Sequence, residues 1–379
     1  MKIIAFYLPQ FHEIPENNEW WGKGFTEWTN VKSAQPLFEG HQQPVVPFDS
    51  NYYNLLDNHT IEWQIDIAKK HGVYGFCFYH YWFDGHMLLQ KPMENMLKDE
   101  KLNIPYCICW ANENWTNAWK ADGDIKTLIQ QTYGKEDEWK RHFEYLLPFF
   151  KDKNYILEEN KPFFVIYRPE IIPCLNEMLD CWDQLAKEHG FDGMVFAYQQ
   201  QSYHILEGRD ESRFKYNIEY QPSYARYDLR MNQTDKKARA AFKARTAIRQ
   251  IVYKIDEKAG TNISARLTKN TLHFEDYDEL CEQIINRKPD SEKAIPGMFV
   301  GWDNTPRRGK TGTVCLGSTP EKFEKYLKLQ IENARNNYKK DMIFIFAWNE
   351  WAEGGYLEPD QAHGYGYLEA IQRATLLEE

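Results

Sequence analysis

Short apolar runs recur along the chain and alternate with longer segments of helical periodicity, a pattern typical of parallel β/α units. Several runs are almost continuously hydrophobic, as expected for strands that are covered on both faces. The runs predict eight strands, at Ile3 to Leu8, Val73 to Tyr79, Ile104 to Trp110, Phe163 to Arg168, Met194 to Tyr198, Phe214 to Tyr220, Gly297 to Trp302 and Met342 to Trp348. Eight such strands favour closure, so we predict an α/β fold, a (β/α)8 TIM barrel that forms a single domain over residues 1–379.

A long insertion, predicted to be helical and basic, separates the sixth and seventh strands over residues 223–290. Its segment from Arg226 to Lys269 holds 12 Lys and Arg against four acids, a local charge of +8 in a chain of net charge −10. One interpretation is a solvated helical excursion. The other is that Ala240 to Tyr253 forms a basic amphipathic helix that contacts an anionic surface, such as a lipid-linked glycan carrier at a membrane or an acidic polysaccharide.

Charge and cysteine usage narrow the class of partner and the compartment. A net charge of −10 argues against nucleic acid as a partner, because phosphate backbones are held by clustered cations. The seven cysteines form no C-x-x-C pair and mostly lie in apolar runs, which indicates reduced core thiols. The N-terminal residues 1–12 are typical of a first strand and not of a signal peptide. We therefore expect a cytoplasmic protein; peripheral membrane contact follows only from the second interpretation of the basic insertion.

Aromatic residues make up 16% of the chain, with 13 Trp, 24 Tyr and 22 Phe. Sugar-binding clefts use such rings, but a large aromatic core explains the composition equally well. In a TIM barrel the loops after the strands build the active site, so polar and aromatic residues near the strand ends are candidates. The predicted substrate-binding residues are Tyr7, His12, Trp28, Tyr79, His80, Trp110, Asn112, Glu113, Trp115, Tyr167, Tyr198, Gln199, Glu219, Trp302, Trp348, Asn349 and Trp351.

Two carboxylates, Glu350 and Glu353, follow the last predicted strand. Glycosidic bond cleavage needs one carboxyl that protonates the leaving oxygen and a second group that attacks or activates a nucleophile. Neighbouring indoles would exclude water and raise the pKa of the acid. The alternative is that one of the two caps a helix or pairs with an arginine, since the same spacing occurs on any helix surface. Glu113 and Glu27 remain rival candidates.

Signals for a metal or a nucleotide are weak. His80 and His86 flank Asp84, but no H-E-x-x-H or cysteine pairing accompanies them, so no metal is expected. The D-x-D sequences at residues 122–124 and 276–278 do not follow apolar strands, and no G-x-G-x-x-G opens a helix after a strand. We expect no cofactor.

Long motifs of the chain resemble the WbsX-like family, which is named as glycosyltransferases of polysaccharide gene clusters. The segments that carry the resemblance are Phe6 to His12, Trp20 to Trp28, Gly75 to Phe83 and Cys109 to Trp115. The chain is also similar to glycoside hydrolase family 99, the endo-α-mannosidases and endo-α-mannanases, which are (β/α)8 barrels. The closing W-N-E-W-x-E-G motif of that family is matched by Trp348 to Gly354.

The resemblance to the hydrolases implies a role for each carboxylate. Glu350 would deprotonate the substrate's own 2-hydroxyl, which attacks the anomeric carbon to give a 1,2-anhydro sugar. Glu353 would protonate the leaving oxygen and then activate water, giving retention without a covalent enzyme intermediate.

The leading hypothesis is therefore a retaining endo-acting glycoside hydrolase, or a transglycosylase that uses the same carboxylates. Its substrate would be a polysaccharide, such as an α-mannoside-containing or O-antigen-like glycan, or a lipid-linked oligosaccharide. A glycosyltransferase of polysaccharide biosynthesis and a non-catalytic glycan-binding barrel are the alternatives.

Overall fold

Eight parallel strands form the centre of the computed structural model, which describes residues 1–117, 126–202, 205–231, 244 and 271–376. The strands are β1 (Lys2–Tyr7), β2 (Gly75–Phe83), β3 (Tyr106–Trp110), β4 (Lys161–Ile166), β5 (Val195–Gln200), β6 (Phe214–Glu219), β7 (Ala294–Ile295 and Gly297–Phe299) and β8 (Met342–Phe346). Each overlaps one of the eight predicted runs, so the predicted barrel is confirmed.

The seventh strand closes the barrel by changing its partner at Pro296. Ala294–Ile295 pairs with β6, whereas Gly297–Phe299 pairs with β8, which in turn pairs with β1. Proline has no backbone N–H to donate, so it suits the point where the ladder passes from one neighbour to the other. Gly297 follows because a Cβ there would lie 2.0 Å from the carbonyl oxygen of Glu219.

Helices surround this ring of strands. They are α1 (Pro15–Trp21), α2 (Glu27–Ser33), α3 (Asn58–Lys70), α4 (Lys91–Lys98), α5 (Glu136–Phe150), α6 (Leu175–Glu188), α7 (Ser223–Met231), α8 (Tyr277–Asn286), α9 (Thr305–Arg308), α10 (Pro320–Asn333) and α11 (Gly366–Thr375). The start of α10 shows why the sequence folds here: Thr319 accepts a hydrogen bond from the Lys322 N–H at 3.3 Å, and Pro320 occupies the first turn.

Short strands extend the loops. His86–Leu88 pairs with the end of β2, and Leu157–Glu158 pairs with the start of β4. The remaining pairs are Trp115–Thr116 with Thr127–Ile129, His273–Asp276 with Thr313–Leu316, and Asn349–Glu350 with Gly355–Tyr356. Short helical turns occupy Phe48–Ser50, Pro169–Ile171, Gly309–Thr311, Ala334–Tyr338 and Trp351–Glu353.

The described ends of the insertion are α7, the strand His273–Asp276 and α8. The predicted basic helix from Ala240 to Tyr253 lies outside the described residues, apart from residue 244, so its structure and its contacts stay a prediction. Across the described ranges, no helix is both long and apolar enough to span a lipid bilayer. All seven cysteines are free thiols, as predicted.

Candidate active site

The two predicted carboxylates lie on a tight turn that follows β8. Glu350 ends a short strand that pairs with Gly355–Tyr356, and Glu353 ends the single helical turn Trp351–Glu353. Gly354 closes the turn at φ 66°, where an added Cβ would lie 2.6 Å from the Asp303 nitrogen. The same nitrogen donates to the Glu353 carbonyl at 2.7 Å. The turn is therefore pinned to the loop that follows β7.

A buried arginine joins these two glutamates to a third. Arg307 of α9 contacts Glu27 at 2.8 Å, Glu350 at 3.3 Å and Glu353 at 2.6 Å. Side-chain exposure is 0% for Glu27, 8% for Glu350, 21% for Glu353 and 11% for Arg307. Both members of the predicted pair thus contact an arginine, which is the pairing that the sequence spacing left open as an alternative. They also converge with Glu27 on this one guanidinium.

Charge at this point is unbalanced. If all three carboxyls are ionised, one guanidinium leaves a net charge of −2 within a mostly buried site. Burial raises the pKa of Glu350 to about 8; Arg307 opposes this shift, while the negative charges of Glu353 and Glu27 add to it. Glu350 is therefore a carboxyl of high proton affinity that changes its protonation state near neutral pH.

Tyrosines line the barrel mouth beside the carboxylates. The hydroxyls of Tyr79 and Tyr220 are 3.5 Å apart across the barrel, and Gln199 donates to the Tyr79 hydroxyl at 3.2 Å. The ring of Tyr167 meets that of Tyr79 edge-on at 6.4 Å. Burial, followed by the charge of Glu350, holds the pKa of Tyr81 well above its usual value. Burial raises the pKa of Tyr79, Tyr81 and Tyr220 well above the usual value, and the charge of Glu350 adds to each shift, so these three hydroxyls are protonated donors at neutral pH.

Trp302 forms another wall at the end of β7. Its ring packs on Phe346 of β8 at 5.3 Å, and the Arg226 guanidinium lies 4.4 Å from the ring centroid. The neighbouring Asp303 accepts hydrogen bonds from His41 and Gln43 at 2.8 and 2.7 Å, and from the start of α9. This acid thereby fixes the short helix that carries Arg307.

Of the predicted site residues, the structure brings together Glu350 and Glu353 with Tyr79, Tyr167, Gln199 and Trp302. Five others lie on the outer face of the barrel, because successive side chains of a strand point to opposite faces. They are Tyr7 against Gln64, His80 against His142, Trp110 against Trp182, Tyr198 against Glu211, and Glu219 against Arg287.

Another group of predicted residues braces the loops. Trp28 donates to the Tyr53 carbonyl at 2.8 Å, and Trp351 donates to Glu358 at 2.6 Å. The amide of Asn112 bonds both backbone groups of Arg168, and that of Asn349 bonds both backbone groups of Leu8. Trp348 packs on Phe76 at 4.9 Å.

Three predicted residues remain. His12 is buried, and burial lowers its pKa to about 4. Trp115 packs edge-on against Tyr81 at 4.9 Å, beside the mouth. Glu113 is on the rim, 46% exposed and 3.1 Å from Arg168.

Sequence reasoning did not find Arg307. The only signal was its position a few residues after β7, on the side of the barrel where active-site groups collect; adjacent basic residues in a loop otherwise resemble a solvated surface. Tyr81 and Tyr220 could have been selected from the alternation of side chains along a strand. Tyr81 is two residues after the inward-facing Tyr79, and Tyr220 is the residue after the outward-facing Glu219.

In the described part of the chain, no three His, Cys, Asp or Glu side chains form a cluster that could hold a metal ion.

The chain thus forms a parallel barrel in which carboxylates and tyrosines converge at the carboxyl ends of the strands. The chain belongs to the family described as Glycosyltransferase WbsX, which matches residues 3–371.

The curated relatives include two proteins named WxcX from Xanthomonas campestris pv. campestris. The one from strain B100 is 33% identical and the one from strain ATCC 33913 is 32% identical, each over 378 residues. The match covers 98% of this chain, which spans about half the length of these relatives, 49% in each.

Solved structures share the fold at low identity. The GH99 endo-α-mannosidase from Bacteroides thetaiotaomicron, in complex with bis-tris propane, superposes with a TM-score of 0.56 at 14% identity, covering 99% of this chain and 96% of that one. A glycoside hydrolase-like protein gives a TM-score of 0.54 at 13% identity, covering 98% and 93%. These likenesses establish the barrel fold.

Proposed function

We propose that the protein is a retaining, endo-acting glycoside hydrolase in which Glu350 and Glu353 perform the chemistry. The observation that carries the proposal is the convergence of both carboxylates on Arg307 at a tyrosine-lined barrel mouth. This site keeps three carboxylates around one guanidinium in a mostly buried place at the barrel mouth, which is electrostatically costly.

In the first step, ionised Glu350 takes the proton from the substrate 2-hydroxyl, and the oxygen attacks the anomeric carbon. The bond from that carbon to the glycosidic oxygen breaks, and Glu353 gives its proton to the leaving oxygen. In the second step, Glu353 takes a proton from water, the water oxygen opens the 1,2-anhydro ring, and Glu350 returns its proton to O2. Protons and charges balance over the two steps, and the anomeric configuration is retained.

Arg307 sets a requirement for this sequence. Without ligand it contacts Glu353 at 2.6 Å and Glu350 at 3.3 Å. The hydrogen bond to Glu353 is charge-assisted only when that carboxyl has no proton. Glu353 must carry a proton at the start of the first step, so an entering sugar has to move the guanidinium away from Glu353. Glu353 is the more exposed of the two, which suits a group that meets the leaving oxygen and water.

For the substrate, we propose an α-mannoside-containing or O-antigen-like polysaccharide. The support is the fold shared with endo-α-mannosidases and the description of the family as glycosyltransferases. A lipid-linked oligosaccharide is included because of the basic segment between Arg226 and Lys269.

The test is the release of reducing ends from such glycans in the absence of any nucleotide. Wild type should release oligosaccharides whose first-formed anomer, followed by NMR, has the configuration of the substrate. Glu353→Gln and Glu350→Gln should each lower kcat at least a thousandfold, which is about 4 kcal/mol in the barrier. Glu321→Gln, a change at the start of α10, is the matched control and should keep full activity. Release that survives both active-site changes contradicts the proposal.

A glycosyltransferase is the second candidate, favoured by the description of the family. In a transglycosylase an acceptor hydroxyl replaces water in the second step, and the same carboxylates are needed. Turnover of a nucleotide sugar that is unaffected by Glu353→Gln would favour a nucleotide-dependent transferase over both.

A further inference from the structure

A buried carboxyl that the proposed chemistry does not use lies directly behind the catalytic turn. Glu358 is 2% exposed and accepts hydrogen bonds from the Tyr53 hydroxyl at 2.7 Å, the Gln64 amide at 2.6 Å and the Trp351 indole at 2.6 Å. In the described part of the chain no basic side chain forms an ion pair with it. This carboxyl is therefore held by neutral donors alone, and burial raises its pKa to about 7 while the hydrogen bonds lower it.

One of those donors belongs to the turn itself. Trp351 lies between Glu350 and Glu353 in sequence, and its ring stacks on Tyr356 at 3.9 Å with an interplanar angle of 13°. Stacking fixes the plane of the indole, and the bond to Glu358 fixes its rotation within that plane. The backbone that carries the two glutamates is thereby anchored on its buried side.

The same network reaches the third carboxylate. Trp28, the residue after Glu27, packs against Trp351 at 5.4 Å and donates to the carbonyl of Tyr53. Tyr53 in turn donates its hydroxyl to Glu358. Both segments that present carboxylates to Arg307 are thus braced by the side chain of Glu358.

A carboxylate is suited to this task, because its two oxygens can accept all three hydrogen bonds at once. A glutamine of the same shape has one acceptor oxygen, and its amide group would point a donor at another donor. Displacement of a catalytic group by about 1 Å can cost about a hundredfold in rate. A group that braces the catalytic turn can therefore control the reaction rate without touching the substrate.

We propose that Glu358 is a positioning residue that holds Glu350 and Glu353 in register with Arg307 through the indole of Trp351. The inference rests on the proposed function of the turn as the catalytic centre.

The kinetic test compares Glu358→Gln, Trp351→Phe and the double variant in the full chain. Each single change should lower kcat by about 10- to 100-fold while KM changes less than about threefold. Since both changes remove the same hydrogen bond, the one from the Trp351 indole to Glu358, the kcat of the double variant should be no lower than that of the slower single variant. The proposal is overturned if the kcat losses of the two single variants multiply in the double variant. It is also overturned if KM rises while kcat stays constant.

Asp152→Asn is the control for general destabilisation. It perturbs another carboxyl held by a tyrosine, the Tyr106 hydroxyl at 2.9 Å, at the opposite end of the barrel. It should lower Tm and leave kcat unchanged. A kcat that falls with Tm in this variant as it does in Glu358→Gln overturns a specific positioning role.

A spectroscopic readout separates this inference from the proposed function. At pH 9, above the pKa of Glu358, the indole N–H signal of Trp351, assigned by its loss in Trp351→Phe, should shift upfield in Glu358→Gln because a charged acceptor is removed. An unchanged signal overturns the inference, whatever the activity. A shifted signal in a protein that cleaves no glycan overturns the proposed function and leaves the contact established.

Discussion

Replacing Arg307 by methionine should expose how this guanidinium controls the protonation of Glu350. If Glu350 is the base, it must be ionised, so kcat/KM falls as pH drops below its pKa. Burial has raised that pKa to about 8, with Arg307 lowering it and the other carboxylates raising it further. At pH 7 about one-tenth of the wild-type enzyme then carries an ionised Glu350.

Removal of the cation leaves three buried carboxylates without their common partner. The pKa of Glu350 should rise again, and each unit lowers the ionised fraction at pH 7 about tenfold, equivalent to about 1.36 kcal/mol. Breaking the buried ion pairs should also cost about 3–5 kcal/mol of folding stability. Arg307→Lys keeps the charge but not the fork of donors, so it should retain most of the pKa effect and lose part of the stability.

The assay is kcat/KM for glycan cleavage between pH 5 and pH 10, with urea unfolding at each pH. In wild type the acidic limb should bend near pH 8, and in Arg307→Met it should bend at higher pH. An acidic limb that stays in place, or moves to lower pH, refutes the electrostatic role of Arg307. A wild-type profile with no acidic limb refutes the assignment of Glu350 as the base, because protonation of the base is what produces that limb.

Three further predictions follow from the geometry. His80 and His142 share a 2.9 Å hydrogen bond in the helix layer, and burial lowers the pKa of His80 to about 3. The folded protein therefore excludes a proton that the unfolded imidazole binds. In urea unfolding, the free energy of unfolding should fall by about 2 kcal/mol per imidazole between pH 7 and pH 5; the same fall in a variant with both His80→Phe and His142→Phe would contradict this. Gly354→Ala should cost about 2 kcal/mol or more and most of the activity, whereas Gly190→Ala, also at positive φ but with open space around it, should cost about 1 kcal/mol; equal melting temperatures would rule out the tight turn. Finally, the excess of carboxylates predicts that a cationic iminosugar binds at least tenfold more tightly than the neutral lactam of the same shape, and calorimetry giving equal affinities would contradict the charge count.

The fold could be predicted from sequence because hydrophobic runs of strand length report burial on both faces directly. All eight strands were found in this way, while the change of partner at Pro296 was not, since it depends on how the ring closes. The ends were less accurate: β2 runs on to Phe83 because its last residues form a hairpin with His86–Leu88.

The candidate site was predictable only in part. The turn that carries Glu350 and Glu353 was evident from the motif, but an active-site list drawn from strand ends mixed the two faces of each strand. Alternation would have separated Tyr79, which faces the mouth, from His80, which packs on α5. Arg307 could not be found, because a contact between residues 280 positions apart, such as that with Glu27, leaves no local signal.

The central claim is that Glu350 and Glu353 converge on one glycosidic bond, and a crystal structure of Glu353→Gln with a bound oligosaccharide tests it most directly. The account predicts a sugar whose O2 lies within about 3 Å of a Glu350 oxygen, with the glycosidic oxygen beside residue 353 and Arg307 displaced from it. A glycan bound away from the turn, with Arg307 still bridging Glu27 and Glu350 and no sugar between the two catalytic positions, would contradict it.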